Sequence, residues 1–559
     1  MFKFLSKYSL IIILLFSAIL RLYDLSSNPP HLTNDEAALG YNAYSILKTG
    51  KDEHGEIYPV IFQSFGDWKP GLYIYLTVPF VSLFGLNEFS TRIVSAFSGI
   101  VAVFLIYLIS KRLFPKTSIP FYVAFSLAVM PWHIHFSRGA WEANLSLTLI
   151  LAGIYFFLRS VQEKSGNLLL SAIFFALSLW AYQGAKLGTS LVVLALAIVY
   201  FEKLIKFPKK NLILSLVVGM VVASPVILSL LTGKAGRLEV YSVFSYYRSS
   251  EYINSILIQG DEKVDGAIYF LYHSEPLNFL RGILGRYLNH YSGRFLFFEG
   301  DWSNPRHSVP YQGALLFIDC IFLVTGIISL IKSKFSKGII FITLWILLSP
   351  LPSALSRDSI HAVRSLAMTA PLAIIIGVGF YSLKNWIQKD RKRIILGILI
   401  VGAYFANYIY FLDQYKFHLP ARNSKDWHYG YKQIVEKITP IQSFYKEVII
   451  QQDYTQPYIF FLFYQKYDPL KYQAKVKDVF MSNSLGDVGL VSELDNLKFV
   501  KFHLPGYVSK ENILLVGDPF MLPEIDINDK NIFNIIGEIK HLNGSPAFKL
   551  IETKQTSIN

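Results

Sequence analysis

Residues Ser9 to Leu25 read SLIIILLFSAILRLYDL, and ten residues further on comes Thr33-Asn34-Asp35-Glu36. The first segment is an apolar run of nearly the length that crosses a bilayer's hydrocarbon core, roughly 20 residues. Lys3 and Lys7 precede it in the manner of a signal peptide. No small-x-small cleavage site follows, and we read it as a retained first helix. The second segment places two carboxylates just beyond the end of that helix, which points to chemistry at the membrane surface.

The rest of the chain repeats the apolar pattern. It has 559 residues, 53% hydrophobic and 16% charged. Eleven candidate spans fall at about 9–25, 89–109, 118–135, 143–159, 168–182, 187–202, 211–231, 311–331, 338–352, 365–383 and 394–412. The formal net charge is +14. The basic residues sit mostly in short connections between spans, so membrane topology accounts for them and no nucleic-acid partner is expected. The one cysteine, Cys320, has no intramolecular partner, so no disulfide is expected and its compartment stays open.

Charge sets an orientation. With the N-terminus cytoplasmic, the inner connections hold Lys3 and Lys7; Lys111, Arg112 and Lys116; Arg159 and Lys164; Lys203, Lys206, Lys209 and Lys210; Lys332, Lys334 and Lys337; and Lys384, Lys389, Arg391, Lys392 and Arg393. Their acids are Glu163, Glu202 and Asp390. This bias follows the positive-inside rule. It leaves three long segments outside: loop 26–88, loop 232–310 and the tail 413–559. Within the first, Gly71 to Leu86 is apolar but short and reads as an interfacial or re-entrant helix. In the tail, Glu447–Gln451, Asn512–Val516 and Ala547–Ile551 read as strands among helices. The expected architecture is a polytopic α-helical membrane domain over 1–412, with a small extracytoplasmic α/β or α+β domain over 413–559.

Several residue groups on the outer side bear on chemistry. Thr33-x-x-Glu36 fits a capping box, with Asp35 a first-turn acid favoured by the helix dipole. Asp35 is not needed for the box, so it is the candidate general base, with Glu36 beside it. Lys69, in Gly66-Asp67-Trp68-Lys69-Pro70-Gly71, stands at headgroup depth. It is either a snorkelling lysine or a phosphate-binding point charge. Arg138, in Phe136-Ser137-Arg138, runs against the inside bias, and its anionic partner is either Glu142 one turn on or a lipid phosphate. Arg357, His361 and Arg364 cluster before the span at 365–383, and Lys186 offers a further site of the same kind. His133 and His135 fall on different helix faces, so we assign no metal there. Asp35 and Glu36 could hold a divalent metal, but nothing in the sequence requires one.

Taken in order, these motifs resemble the GT-C membrane glycosyltransferases, in particular the protein O-mannosyltransferase and aminoarabinose-transferase-like branch. The resemblance rests on Asp35-Glu36, Lys69-Pro70-x-Leu72-Tyr73, Phe136-Ser137-Arg138 and His361-x-x-Arg364-Ser365, and covers about residues 1–412. It implies a polyprenyl-phosphate-linked sugar donor and an inverting transfer to a lipid, glycan or protein acceptor. Asp35 would be the base, with Lys69, Arg138 and Arg364 near the donor phosphate. Asp426-Trp427-His428-Tyr429-Gly430 faintly echoes an oligosaccharyltransferase signature but lacks its tandem tryptophans and central acid, and reads as a packed aromatic loop. The competing class is a transporter or flippase of anionic lipids, in which the same cations bind phosphate without bond breaking. A structural scaffold would leave the outer arginines and lysines without a role.

Overall fold

The computed structural model describes residues 2–233, 242–263, 266–333, 336–387, 391–452, 455–482 and 489–554. Lys334, Lys389 and Asp390, which contribute to the expected orientation, lie outside the described residues.

The chain opens with helix α1 (Phe2–Leu22) and α2 (Asn34–Thr49), followed by a hairpin of β1 (Ile61–Ser64) and β2 (Asp67–Pro70). Helix α3 (Leu72–Phe84) has 13 residues, too few to cross a bilayer, and occupies the expected interfacial segment. Next come α4 (Glu88–Leu113), α5 (Ile119–Val129), α6 (Pro131–Arg138), α7 (Glu142–Gln162), α8 (Asn167–Ala181) and α9 (Ala185–Val199). Further apolar helices are Lys209–Leu231, Asp319–Lys332, Lys337–Leu348, Thr369–Ile387 and Arg391–Asp413. Among the described residues, six helical segments are long and apolar enough to span, or seven if α5 and α6 form one bent span. The other expected spans fall on shorter helices: the apolar part of α1, α8, α9 and Asp319–Lys332.

The continuous span expected at 118–135 is broken. α5 and α6 meet at 56°, and Met130 between them is extended, with φ −63° and ψ 119°. Pro131 is the cause: it disfavours the helical conformation of the residue before it and is suited to the first position of a new helix. The expected span at 311–331 becomes helical at Asp319. Before it the backbone is spent on other segments, with Ala314 O accepting from Trp132 N and Leu315 N donating to Leu296 O.

Small residues let the helices touch. A Cβ on Gly379 would lie 1.9 Å from Phe322 O, and one on Gly326 would lie 2.0 Å from Ile375 O. Helices Asp319–Lys332 and Thr369–Ile387 thus meet backbone to backbone, the packing available where lipid supplies no hydrophobic drive between helices. Helices Lys209–Leu231 and Arg391–Asp413 instead expose apolar side chains such as Met220, Val221, Leu399 and Val401, as a lipid-facing surface does.

The tail contains a six-stranded sheet in the order β6-β7-β3-β8-β10-β9. These are β3 (Glu447–Gln451), β6 (Glu493–Leu494), β7 (Leu497–Val500), β8 (Ile513–Gly517), β9 (Phe533–Lys540) and β10 (Pro546–Thr553), while β4 (Phe480–Ser482) and β5 (Gly489–Val491) pair separately. β3 runs parallel to β7 and β8, and the remaining neighbours are antiparallel. The three strands expected from sequence are the adjacent β3, β8 and β10. The helix Tyr458–Tyr464 lies between this sheet and α2, where Phe460, Phe461 and Phe463 share a buried core with Ala37, Ala38 and Tyr41. Gly40 makes the approach possible: a Cβ there would come within 2.5 Å of Phe463 Cε2. The start of α2 is thereby gripped between the membrane helices and the tail.

Candidate active site

The site begins with the cap of α2. Thr33 Oγ1 accepts from Glu36 N at 3.2 Å, and Glu36 Oε2 accepts from Thr33 N at 2.9 Å. Glu36 has further partners. Its Oε1 accepts from Arg92 Nε at 3.0 Å and from Ala140 N at 2.8 Å. Arg92, fully buried on α4, also donates to the carbonyls of Leu25, Pro29 and His31. Glu36 and Arg92 thus tie the turn after α1 to α4 and to the start of α7. Both oxygens of Glu36, expected beside the catalytic base, are engaged in these contacts. Nothing in the sequence paired Arg92 with Glu36, because the two are 56 residues apart.

Asp35, the neighbour in the first turn, has a side chain 50% exposed and forms an ion pair with Lys69 Nζ. The hairpin brings Lys69 there: in its register Lys69 lies opposite Phe62. Burial alone would lower the Lys69 pKa, but Asp35, then Glu142, outweigh it and hold the ammonium above its ordinary value. Gln183 fixes the hairpin from the other side. Its amide donates to Trp68 O and its Oε1 accepts from Lys186 Nζ.

These groups line a cavity of about 960 Å³. Its wall carries Asp35, Asp67 and Glu142 together with Lys69, Lys186, Arg306, Arg357 and Arg364, and includes His307 and His361. The structure therefore brings together seven of the eight site residues picked from sequence: Asp35, Glu36, Lys69, Lys186, Arg357, His361 and Arg364. Among the other charged residues on that wall, Glu142 reads from sequence only as a partner for Arg138, and Arg306 lies in a loop with no motif.

Arg138 does not line the cavity. Its Nη1 donates to Leu20 O at 2.8 Å, and its Nη2 donates to Asp24 O at 3.1 Å and Asn28 O at 2.9 Å. The guanidinium thus satisfies carbonyls at the end of α1, where helix geometry leaves acceptors without intrahelical donors. Arg138, expected to meet a lipid phosphate or Glu142, is engaged with these carbonyls instead of being brought together with the other candidate residues. At His361, burial and then the neighbouring Arg364 hold the pKa well below its ordinary value. Arg364 itself pairs with Asp358 at 2.6 Å, and Arg357 Nη1 donates to Tyr246 OH at 2.6 Å.

His133 and His135 contact different partners, Arg21 and Arg306 O, in keeping with the different faces expected of them. Trp427 is fully buried near His135 and Trp141, and His428 Nδ1 accepts from Asn34 N at 3.3 Å. The aromatic loop after the last span therefore packs against the turn that carries Asp35.

Residues 69–228 match the family model for dolichyl-phosphate-mannose-protein mannosyltransferase. No curated protein sequence matches the chain. ArnT from Cupriavidus metallidurans, in its crystal structure bound to undecaprenyl phosphate, superposes with a TM-score of 0.54 at 11% identity, over 97% of each chain. The archaeal oligosaccharyltransferase AglB from Archaeoglobus fulgidus, in complex with an inhibitory peptide and a dolichol-phosphate, superposes with a TM-score of 0.50 at 12% identity, over 99% of this chain and 75% of that one. The structural likeness establishes a fold shared with these proteins. With the family match it supports an integral membrane glycosyltransferase.

Proposed function

We propose that the chain transfers a sugar from a polyprenyl-phosphate donor to an acceptor at the outer membrane face, by a single inverting displacement. The observation that carries this reading is the cavity itself, which collects the carboxylates of Asp35 and Glu142 with five lysine or arginine side chains. The acceptor heteroatom attacks the anomeric carbon, its proton passes to Asp35, and the bond from that carbon to the phosphate oxygen breaks. The phosphate leaves with the bonding electrons, and cations already in place stabilise its growing charge. Lys69 links the two roles. It pairs with Asp35, and a donor phosphate competes for its ammonium and releases the carboxylate to act as base. Lys186, Arg306, Arg357 and Arg364 complete the phosphate clamp. The undecaprenyl phosphate and dolichol-phosphate bound by the two structural neighbours support this class of donor.

The test is sugar transfer by the purified protein in nanodiscs, from a panel of radiolabelled polyprenyl-phosphate sugars with native acceptor extract. Asp35→Asn is expected to lower turnover about 10²- to 10⁴-fold while donor binding persists. Undiminished transfer by Asp35→Asn would remove it as the base. Flipping of the same lipids without transfer from any donor would favour a transporter.

A further inference from the structure

We propose that Gln456, in the tail, is a positioning residue for the Asp35 carboxylate, a role that rests on Asp35 being the base of the proposed transfer. The first backbone N–H groups of a helix have no intrahelical acceptor. In α2 the cap takes one of them, with Thr33 Oγ1 accepting from Glu36 N. The N–H groups of Asn34 and Asp35 remain, and each finds a side-chain acceptor. Asn34 N donates to His428 Nδ1 at 3.3 Å, and Asp35 N donates to Asn34 Oδ1 at 3.0 Å. An asparagine whose oxygen is used in this way has its NH2 left to donate elsewhere. Asn34 Nδ2 donates to Gln456 Oε1 at 2.6 Å. The contacts thus run in series from the tail to the base: Gln456 sets the Asn34 side chain, and that side chain holds the backbone of Asp35.

Gln456 is itself firmly held. It is 4% exposed, and its backbone is left-handed, with φ +51°. A residue other than glycine keeps that conformation where its surroundings impose it. Here Pro457 and the helix Tyr458–Tyr464 follow directly, and Phe460 of that helix stacks on Tyr431 with ring centroids 4.8 Å apart. Tyr431 OH and Thr455 Oγ1, one residue before Gln456, share a hydrogen bond of 2.7 Å. His428 is left-handed too, with φ +55°, so both tail partners of Asn34 sit at strained positions. The membrane domain holds Glu36 through Arg92 and Ala140. Asp35 therefore stands between a tail grip on Asn34 and a membrane-domain grip on Glu36, and its half-exposed carboxylate projects from that clamped backbone to Lys69. A displacement of about 1 Å can cost a reaction about 10²-fold, so a contact at this remove bears on turnover. A second tail glutamine supplies the comparison. Gln473 Nε2 donates to Ser45 Oγ, Thr49 Oγ1 and Asp52 O, around the other end of the same helix.

Turnover and a turnover-free probe together separate this role from the transfer reaction. Full-length protein in nanodiscs is assayed with polyprenyl-phosphate sugar donors and native acceptor extract. Gln456→Ala should lower kcat about 10- to 100-fold with the donor KM little changed. Gln456→Glu, which still offers Asn34 an acceptor, should recover most of that loss. Gln473→Ala removes other tail contacts to the same helix and should leave kcat unchanged. In a Cys320→Ser background, Asp35→Cys then places a thiol beside Lys69, and its labelling rate is followed against pH. Lys69 should hold the apparent pKa of that thiol below its ordinary value of about 8.5; Gln456→Ala should let it rise, and Gln473→Ala should not. Absence of transfer by the wild type would count against the reaction and leave the thiol profile to decide the positioning. If Gln456→Ala is not folded by size exclusion, Gln456→Gly, suited to the left-handed backbone, takes its place. Wild-type kcat in Gln456→Ala would overturn the proposal, as would equal losses in Gln456→Ala and Gln473→Ala. So would a Gln456→Glu variant no better than Gln456→Ala, or a thiol profile that ignores Gln456.

Discussion

Glu36 and Arg92 form a buried polar knot: the arginine is fully buried and also holds three loop carbonyls. Glu36→Gln removes the charge opposite a buried guanidinium, and breaking such a pair typically costs about 3–5 kcal/mol. We expect a fall in thermal stability measured by fluorescence-detected size exclusion, with donor binding retained at temperatures where the variant is folded. An unchanged transition would mean that Arg92 is held by its carbonyls alone. A second buried carboxyl gives a pH dependence. Glu53 is fully buried, accepts from Asn42 Nδ2 at 2.9 Å, and has no partner for Oε2 among the described residues. Burial pushes its pKa up to about 8 and that of Asp52 to about 6. Both lie above their unfolded values, so their contribution is full below about pH 4 and is lost as the pH rises through those values. The melting temperature should therefore fall between about pH 5 and pH 8, and Glu53→Gln should flatten that slope and raise stability at pH 8. Equal slopes in the two proteins would refute the assignment. At this scale the sequence revealed the capping box and four of the five cavity lysines and arginines, all but Arg306. It could not reveal Arg92, because a partner 56 residues away is a product of tertiary folding.

At the scale of elements, hydropathy located the helices but not their breaks or contacts. Gly71 to Leu86 is short enough to be set apart as interfacial, and α3 agrees with that reading. α5 and α6 appear as one apolar run because Pro131 changes the backbone without changing hydropathy. The strands β3, β8 and β10 were legible because buried strands read as short apolar runs, whereas their order in the sheet depends on pairings far apart in the chain. The glycine contacts could not be assigned either, since a glycine in an apolar helix looks the same whether it faces lipid or another backbone. The structure now separates these cases. A Cβ at Gly379 would fall 1.9 Å from Phe322 O, while Gly402 has nothing within 4 Å. Gly379→Ala should force helices Asp319–Lys332 and Thr369–Ile387 apart and cost about 1–3 kcal/mol or more, while Gly402→Ala should be neutral or slightly stabilising. Thermal melts of the two variants in one detergent decide it: equal melts would show that the two helices can separate without penalty.

At the scale of the whole molecule, the orientation expected from charge puts the cavity cations on one side of the membrane domain and the short basic connections on the other. The positive-inside rule explains the second group and leaves the first without a topological reason. Lys69, Lys186, Arg357 and Arg364 stand against that bias, so an anionic occupant is the simplest reason for them to be there. The inference depends on which face is which, and the single cysteine makes this testable. In a Cys320→Ser background, one cysteine is placed at Phe520, 83% exposed in the tail, and another, in a separate protein, at the exposed Lys206 before helix Lys209–Leu231. A membrane-impermeant maleimide applied to intact cells should label Phe520→Cys and spare Lys206→Cys, and permeabilisation should expose both. The reverse pattern would put the cavity in the cytoplasm, so that donor and acceptor would both have to be delivered there. The expected pattern places the Asp35 carboxylate, the cationic wall and the folded tail together outside. A lipid-linked donor would then approach from the outer leaflet, while the tail fixes the turn that carries the base.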